Sequence, residues 1–329
     1  MRERACCPDA WLCPVCGAAG DRARSRFALA GDRAADGLDA TAFRPSSGHF
    51  GQTAGTLMRC TACGHGSLAE APDASAVSQA YQEAADPVSL REETGQVATA
   101  TRALQSIEHF VSPGRMVDVG CWTGSFLVAA RQRGWDATGI DPSSWAVARA
   151  QERGLDVRQG DLGSDRLDGG AYRLVVLCDV LEHLEDPGRA LDAVREMVEP
   201  AGALYLTVPD AGSLVARVLG RRWWSVLPMH LQYFTRASLA LLLADHGFTV
   251  GTVMTDPKAF SVRYYAERLG GYSPRLERLG AAFVDRLRIG ERLVAPDFRD
   301  RMAVLARPAG APRARETGGG DHPPGQPVR

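Results

Sequence analysis

The sequence holds a single lysine, Lys258, so nearly all of its positive charge is arginine. We read that bias as genomic and draw no mechanism from it. With a formal net charge of −1 over 329 residues there is no global positive field to gather a polyanion. This argues against nucleic acid as the partner, although arginine clusters at 22–26 and 221–222 leave room for a local basic patch. No apolar run reaches the roughly 18 residues that a membrane helix needs, and the opening MRERACCPDAW has no apolar stretch of the kind that directs secretion. Membrane insertion is therefore not expected, and a cytoplasmic location is. No internal repeat is visible.

What the sequence does have is enough apolar material, 45% of residues, to build one large core and a small one. It also has eight cysteines: Cys6, Cys7, Cys13, Cys16, Cys60, Cys63, Cys121 and Cys178. In a reducing compartment, pairs at CxxC spacing hold a metal more often than they form disulfides. Cys13-Pro-Val-Cys16-Gly and Cys60-Thr-Ala-Cys63-Gly are matching knuckles in which the following glycine lets backbone amides turn toward thiolate sulfur. Four such thiolates make a tetrahedral structural zinc site; free or redox-active thiols are the alternative. The 43 residues between the pairs are more than a compact finger uses. A closed four-thiolate site leaves no position for substrate, so its contribution is to fold a region too small to stand on its own core. Cys121 and Cys178 lie in strand contexts that suit small core hydrophobes, and Cys6 and Cys7 have no assigned role.

Composition divides the chain into a zinc-ribbon-like module over 1–70, a helical linker over 71–110, a large domain over 111–307 and a Pro/Gly-rich tail over 308–329 with nothing to bury, expected to be disordered. In the large domain RMVDVG, ATGID, LDVRQGD, YRLVVLCD, ALYLTVPD, FTVGTVM and RMAVLAR read as strands. Helices are predicted from Gly124 to Gly134, over Ser144–Arg153, from Pro187 through Met197, and from the Thr235 cap to Gly247. Strands alternating with helices predict an α/β fold, doubly wound around a mainly parallel seven-stranded sheet, which binds its ligand at the carboxyl ends of the strands.

Those strand ends carry the chemistry. Asp118, Gly120 and Gly124 lie in a strand–turn–helix where glycine permits a tight turn and close backbone approach to a ligand. The loop is not a dinucleotide loop, because Trp122 and Ser125 stand where glycines belong and an indole obstructs a pyrophosphate. Asp141 closes the second strand, where its carboxylate can accept both hydrogen bonds of a ribose diol, and Asp161 closes the third, where it can accept from an adenine amino group. Three acidic groups at consecutive strand ends suit a cationic ligand with an amino group, a ribose and a base, and would repel phosphate.

Together DVGCWTGSFL, TGIDPS, QGDL, LVVLCDVLEHLEDP and GALYLTVPD resemble class I S-adenosylmethionine-dependent methyltransferases over about 200 residues. The resemblance implies a loop of Asp118, Gly120 and Gly124 on the methionine side, Asp141 on the ribose hydroxyls, Asp161 with Leu162 at the adenine, and Cys178 with Asp179 opposite the loop. Trp122 stands where the family most often has glycine, which affects the loop's shape. The whole arrangement is similar to a bacterial group that modifies sugars, polysaccharide precursors and secondary metabolites, which implies O-methylation of a small-molecule or sugar acceptor. Sugar C-methylation is the next reading, although the Pro-Leu-x-Asn segment of those enzymes is absent. RNA methylation and a non-catalytic S-adenosylmethionine-binding scaffold are the further alternatives.

Methyl transfer from a sulfonium is an in-line displacement, so a base is needed only when the acceptor must lose a proton. His230 is the first candidate base and His183, in Glu182-His183, the second. In some relatives an equivalent Glu-His pair helps bind a divalent cation, which would require further ligands here. His230 lies in Arg221–Phe234, whose tryptophans and tyrosine either stack on an acceptor ring or pack a loop onto the sheet.

Overall fold

In the computed structural model of the chain the described residues are 11–19, 22–27, 44, 46, 48–70, 72–162 and 172–310, with the side chains of 23–27 left out. Cys6, Cys7 and the tail from 311 lie outside them.

The chain opens with β1 (Ala23–Phe27), β2 (Leu57–Cys60) and β3 (Gly66–Leu68). Three helices follow, α1 (Ala74–Glu83), α2 (Pro87–Arg91) and α3 (Glu93–Glu108). Asp73 and Asp86 cap the first two by accepting from backbone amides of the first turn, and Pro87 sits where a helix needs no amide donor. The segment predicted as a linker is thus helical, but it does not act as one. Ala100, Leu104 and Ile107 of α3 are buried in one core with Phe126, Leu127 and Ala130.

Then come β4 (Arg115–Val119), α4 (Ser125–Gln132), β5 (Asp136–Asp141), α5 (Ser144–Glu152), β6 (Asp156–Gln159), β7 (Tyr172–Cys178), α6 (Pro187–Met197) and β8 (Val198–Pro209). Next are α7 (Leu214–Leu219), the two-residue β9 (Gln232–Tyr233), α8 (Arg236–Asp245) and β10 (Phe248–Thr255). The predicted Thr235 cap is a reciprocal capping box with Ser238. After β10 the chain makes an excursion absent from the sequence reading: β11 (Phe260–Ser261), α9 (Val262–Arg268), α10 (Pro274–Leu287) and β12 (Leu293–Val294). It returns as β13 (Arg301–Pro308), so the ordered strand includes Pro308, one residue beyond the expected domain end.

The main sheet has seven strands in the order β10-β13-β8-β7-β4-β5-β6. All neighbours from β8 to β6 pair in parallel, while β13 is antiparallel to both β8 and β10. Period-two alternation divides each strand between two faces. Leu204, Leu206 and Val208 join one core with Leu191 of α6 and Leu242 of α8, and Ala203 and Tyr205 join the other with α3 and α4. Helices therefore cover both faces, as a doubly wound fold requires.

The cysteine segment does not form a separate body. Its antiparallel sheet runs β1-β2-β3-β9, and the last strand comes from the large domain. Trp11, Cys13, Val15, Met58 and Cys60 share a core with Leu181 and Phe234.

Candidate functional site

A cavity of about 1010 Å³ opens at the carboxyl ends of the parallel strands, lined by Val119, Asp141 and Cys178, the last residues of β4, β5 and β7. One end is acidic. Asp118 is 2% exposed, and its Oδ1 has no hydrogen-bond partner. Burial, with the Asp141 charge nearby, pushes its pKa well above the usual carboxylate range. Such an orphaned oxygen is a poor design for stability alone and fits a cationic ligand. Burial raises Asp141 to about 6 against the pull of two backbone amides. Its Oδ2 accepts from the Trp122 amide at 2.7 Å and its Oδ1 from the Ser143 amide at 2.9 Å. Asp141 thereby holds the loop in shape, and each oxygen keeps a second lone pair for a ligand hydroxyl.

The loop itself is tight. Gly120 has φ +72°, and a Cβ there would lie 2.6 Å from Val180 Cγ2. Trp122 adopts φ 49°, a left-handed conformation that an indole tolerates only under constraint. The constraint is visible: its amide is held by Asp141, its Nε1 donates to Ser89 Oγ of α2 at 3.0 Å, and its ring packs 5.5 Å from Trp145. The departure from glycine is accommodated by the helices that precede the sheet.

Asp161 and Leu162 line the cavity too, but β6 ends at Gln159, so Asp161 lies past the strand and is exposed. Asp179 is more deeply committed than expected. Burial works to raise its pKa, yet Arg301 and Lys258, both paired with its carboxylate, hold it far below the usual range. The lone lysine is thus a wall of the site, and its rarity was the one signal for it in the sequence. Cys178 is half-buried beside this cluster, and Cys121 is buried in the core as predicted.

The other end of the cavity holds both candidate bases. His230 is 6% exposed and its Nδ1 lies 2.8 Å from Ser225 O. A carbonyl only accepts, so Nδ1 carries the proton and Nε2 presents a lone pair. Burial, with His183 adjacent, lowers its pKa to about 3, and burial lowers His183 to about 4. The two rings meet edge to face at 4.8 Å. His183 Nδ1 lies 2.7 Å from the Tyr81 hydroxyl and 3.1 Å from Met229 O. Glu182 is 1% exposed with neither carboxylate oxygen hydrogen-bonded, and burial raises it to about 8. Ligating atoms of Glu182, His183 and His230 all lie within 4.8 Å, so His230 is the further neighbour that the Glu-His pair lacked in the sequence.

The aromatic stretch 221–234 does not form a stacking wall. Trp223, Tyr233 and Phe234 are buried, and the Trp223 Nε1 donates to Asp300 at 2.9 Å, so these rings pack the loop onto the sheet. Of Trp223, Trp224, Tyr233 and Phe234, Trp224 alone reaches the cavity. Rings that line it include Phe260, Tyr264, Tyr265 and Tyr272 from the unpredicted excursion and Tyr81 of α1.

In the cysteine module the Sγ atoms of Cys13, Cys16, Cys60 and Cys63 all lie within 4.8 Å of one another, with Cys13–Cys63 and Cys16–Cys60 each at 3.6 Å. A tetrahedral site with Zn–S bonds of about 2.3 Å has edges of roughly 3.8 Å. The four-thiolate donor set and the two 3.6 Å edges therefore fit zinc. Gly17 and Gly64, at φ +65° and +78°, supply the expected turns.

A family model described as a methyltransferase domain matches residues 81–253. The chain belongs to the S-adenosylmethionine-dependent methyltransferase family. The chain is 28% identical over 145 residues to the C-methyltransferase NovU of Streptomyces niveus, covering 43% of this chain and 34% of that one. It is 30% identical over 108 residues to the ubiquinone biosynthesis O-methyltransferase of Stutzerimonas stutzeri, covering 30% and 47%. An uncharacterized 37.1 kDa protein in transposon TN4556 of Streptomyces fradiae matches at 28% over 182 residues, 50% and 52% of the two chains. The chain spans about half or less of the length of these curated relatives. No helix among the described residues is long and apolar enough to cross a membrane.

Proposed function

We propose that this methyltransferase transfers a methyl group to a hydroxyl of a small molecule, sugar or polysaccharide precursor, with His230 as the general base. When bound, S-adenosylmethionine supplies a methyl group already activated on a sulfonium. At the acidic end Gly120 and Gly124 let the backbone approach the cofactor closely, Asp118 faces its cationic portion, and Asp141 accepts from the ribose hydroxyls. Asp161 and Leu162 border the adenine, and Cys178 and Asp179 close the opposite side. The cysteine quartet holds one structural zinc.

The observation that carries the reading is the His230 tautomer. With Nδ1 committed to Ser225 O, the lone pair is on Nε2, and the lowered pKa keeps the ring neutral at physiological pH. A neutral imidazole beside the acceptor end can take a hydroxyl proton as the oxygen attacks in line. His183 is the alternate base, turned toward Tyr81 and Met229 instead. The test is release of S-adenosylhomocysteine with a panel of hydroxyl acceptors, compared between wild type and His230→Ala. Turnover that is dependent on His230 supports the reading; full turnover without it removes His230 as base. Similarity to a C-methyltransferase supports sugar C-methylation as the second reading. Nuclear magnetic resonance of the product separates O-methyl from C-methyl directly.

A further inference from the structure

Among the contacts of the cysteine module with the large domain, one polar junction leads to both histidines. His65 follows the second knuckle, its backbone carbonyl accepting from Cys60 N at 2.8 Å, and it is fully buried. Its Nε2 lies 3.0 Å from Gln232 Oε1 of β9. The other end of the Gln232 amide donates to Leu184 O at 3.0 Å and Glu185 O at 3.1 Å. Two carbonyl partners fix the amide orientation, so His65 must be the donor to Oε1. Leu184 and Glu185 come directly after His183.

The backbone makes a second link. β3 pairs with β9, Leu68 N donates to Leu231 O at 3.2 Å, and Leu231 N donates to Glu182 O at 2.8 Å. Leu231 comes directly after His230. From the first knuckle, Trp11 Nε1 donates to Ser67 Oγ of β3 at 3.0 Å, so both cysteine pairs brace the same strand. The segments carrying His183 and His230 are thus held on one side by the cysteine sheet, whereas no residue of that sheet lies in the loop Asp118–Gly124.

We infer that the cysteine module is the frame that sets the acceptor-side histidines, with Gln232 as the positioning residue that joins them. Among the described residues, no strand residue of the zinc-ribbon-like sheet lines the cavity. The sheet supplies β3 as a template on which β9 forms, and through Gln232 it fixes the turn after His183. Loss of the junction should disturb the histidine pair and leave the cofactor end untouched. The chemical consequence rests on the histidines being the acceptor-side machinery proposed above; the placement itself does not.

The experiment uses the full chain labelled with 15N-histidine, with the His183 and His230 ring signals assigned by single replacements. In Gln232→Ala both signals should move or broaden, with S-adenosylmethionine affinity and metal content as in wild type. His65→Ala should give the same change in weaker form, because only the module side of the bridge is lost. His65→Gln retains a donor at the position of Nε2 and should restore the wild-type signals. Unchanged His183 and His230 signals in Gln232→Ala would overturn the inference. So would an equal change in His65→Gln and His65→Ala, which would mark general packing damage rather than the lost bond. If Gln232→Ala does not fold, the His65 pair decides alone. Failure of S-adenosylmethionine to bind the wild-type chain would count against the functional reading and not against the frame.

Discussion

The two ends of the cavity are built in different ways. The end proposed for the cofactor is made by strand termini of the parallel sheet, where Asp118, Asp141 and the Gly120 turn follow from the strand–loop–helix pattern itself. The end proposed for the acceptor is assembled from distant pieces: Tyr81 from the first helix, His183 from the turn after β7, His230 from the loop before β9, and tyrosines from the excursion between β10 and β13. A fold can keep the first end while changing the second, which fits a family whose relatives include both a C-methyltransferase and an O-methyltransferase.

The largest effect that would sharpen this division is on metal. A quadruple Cys→Ser variant of Cys13, Cys16, Cys60 and Cys63 should lose about one zinc per chain, because the cluster supplies all four ligands of a closed site. Elemental analysis decides it, and unchanged zinc would take the metal out of the account. Next, once an acceptor is in hand, His230→Ala should lower turnover by roughly 10²–10⁴-fold, the usual contribution of a general base. A collapse in His183→Ala beside a wild-type-like rate in His230→Ala would transfer the role to the other ring.

A smaller effect is expected at the loop. Gly120→Ala must place a Cβ against Val180 in a left-handed conformation. Strain of about 1–3 kcal/mol should appear as weaker S-adenosylmethionine binding, read by calorimetry. Wild-type affinity would mean that the loop is looser than drawn.

The smallest effect is on pH. The Asp141 carboxyl, raised to about 6 by burial, must be ionised to accept both ribose hydroxyls. Protonation competes with binding, so affinity should fall as pH drops below about 6, by at most about tenfold per unit for one proton. The sign for stability is the reverse. A carboxyl whose folded pKa is raised destabilises the empty protein as pH rises through 6, and bound cofactor should offset that loss. An affinity that is flat from pH 7 to 5 would show that Asp141 does not carry this contact.

The same division explains what the sequence made legible. Helix α6 was readable to the residue because Pro187 marks its first turn, and the start of α8 because Thr235 caps it, although α8 ends at Asp245, short of the expected Gly247. The sheet strands were readable because alternation and glycine-bounded apolar runs are local signals. The acceptor end was not, because its contacts are long-range. Nothing local to Tyr81 says that its hydroxyl meets His183, 102 positions away. The aromatic run Trp223–Phe234 read equally as a stacking surface or as packing and is mostly core, since ring type alone does not tell whether a side chain faces a cavity or the sheet. The excursion with α9 and α10 escaped because its strands are two residues long and its helices pack on little. Asp179 lines the cavity, and its two cationic partners, Lys258 and Arg301, are 79 and 122 positions away.

The central claim is that one cavity holds a cofactor end set by Asp141 and an acceptor end set by His230, each separable from the other. Calorimetric titration of S-adenosylmethionine into Asp141→Ala and His230→Ala, side by side with wild type, tests it most directly. The account predicts a loss of at least about 1.5–3 kcal/mol in Asp141→Ala, the range for one hydrogen bond to a charged group, and wild-type affinity in His230→Ala. Equal losses in the two variants, or wild-type affinity in Asp141→Ala, would contradict it.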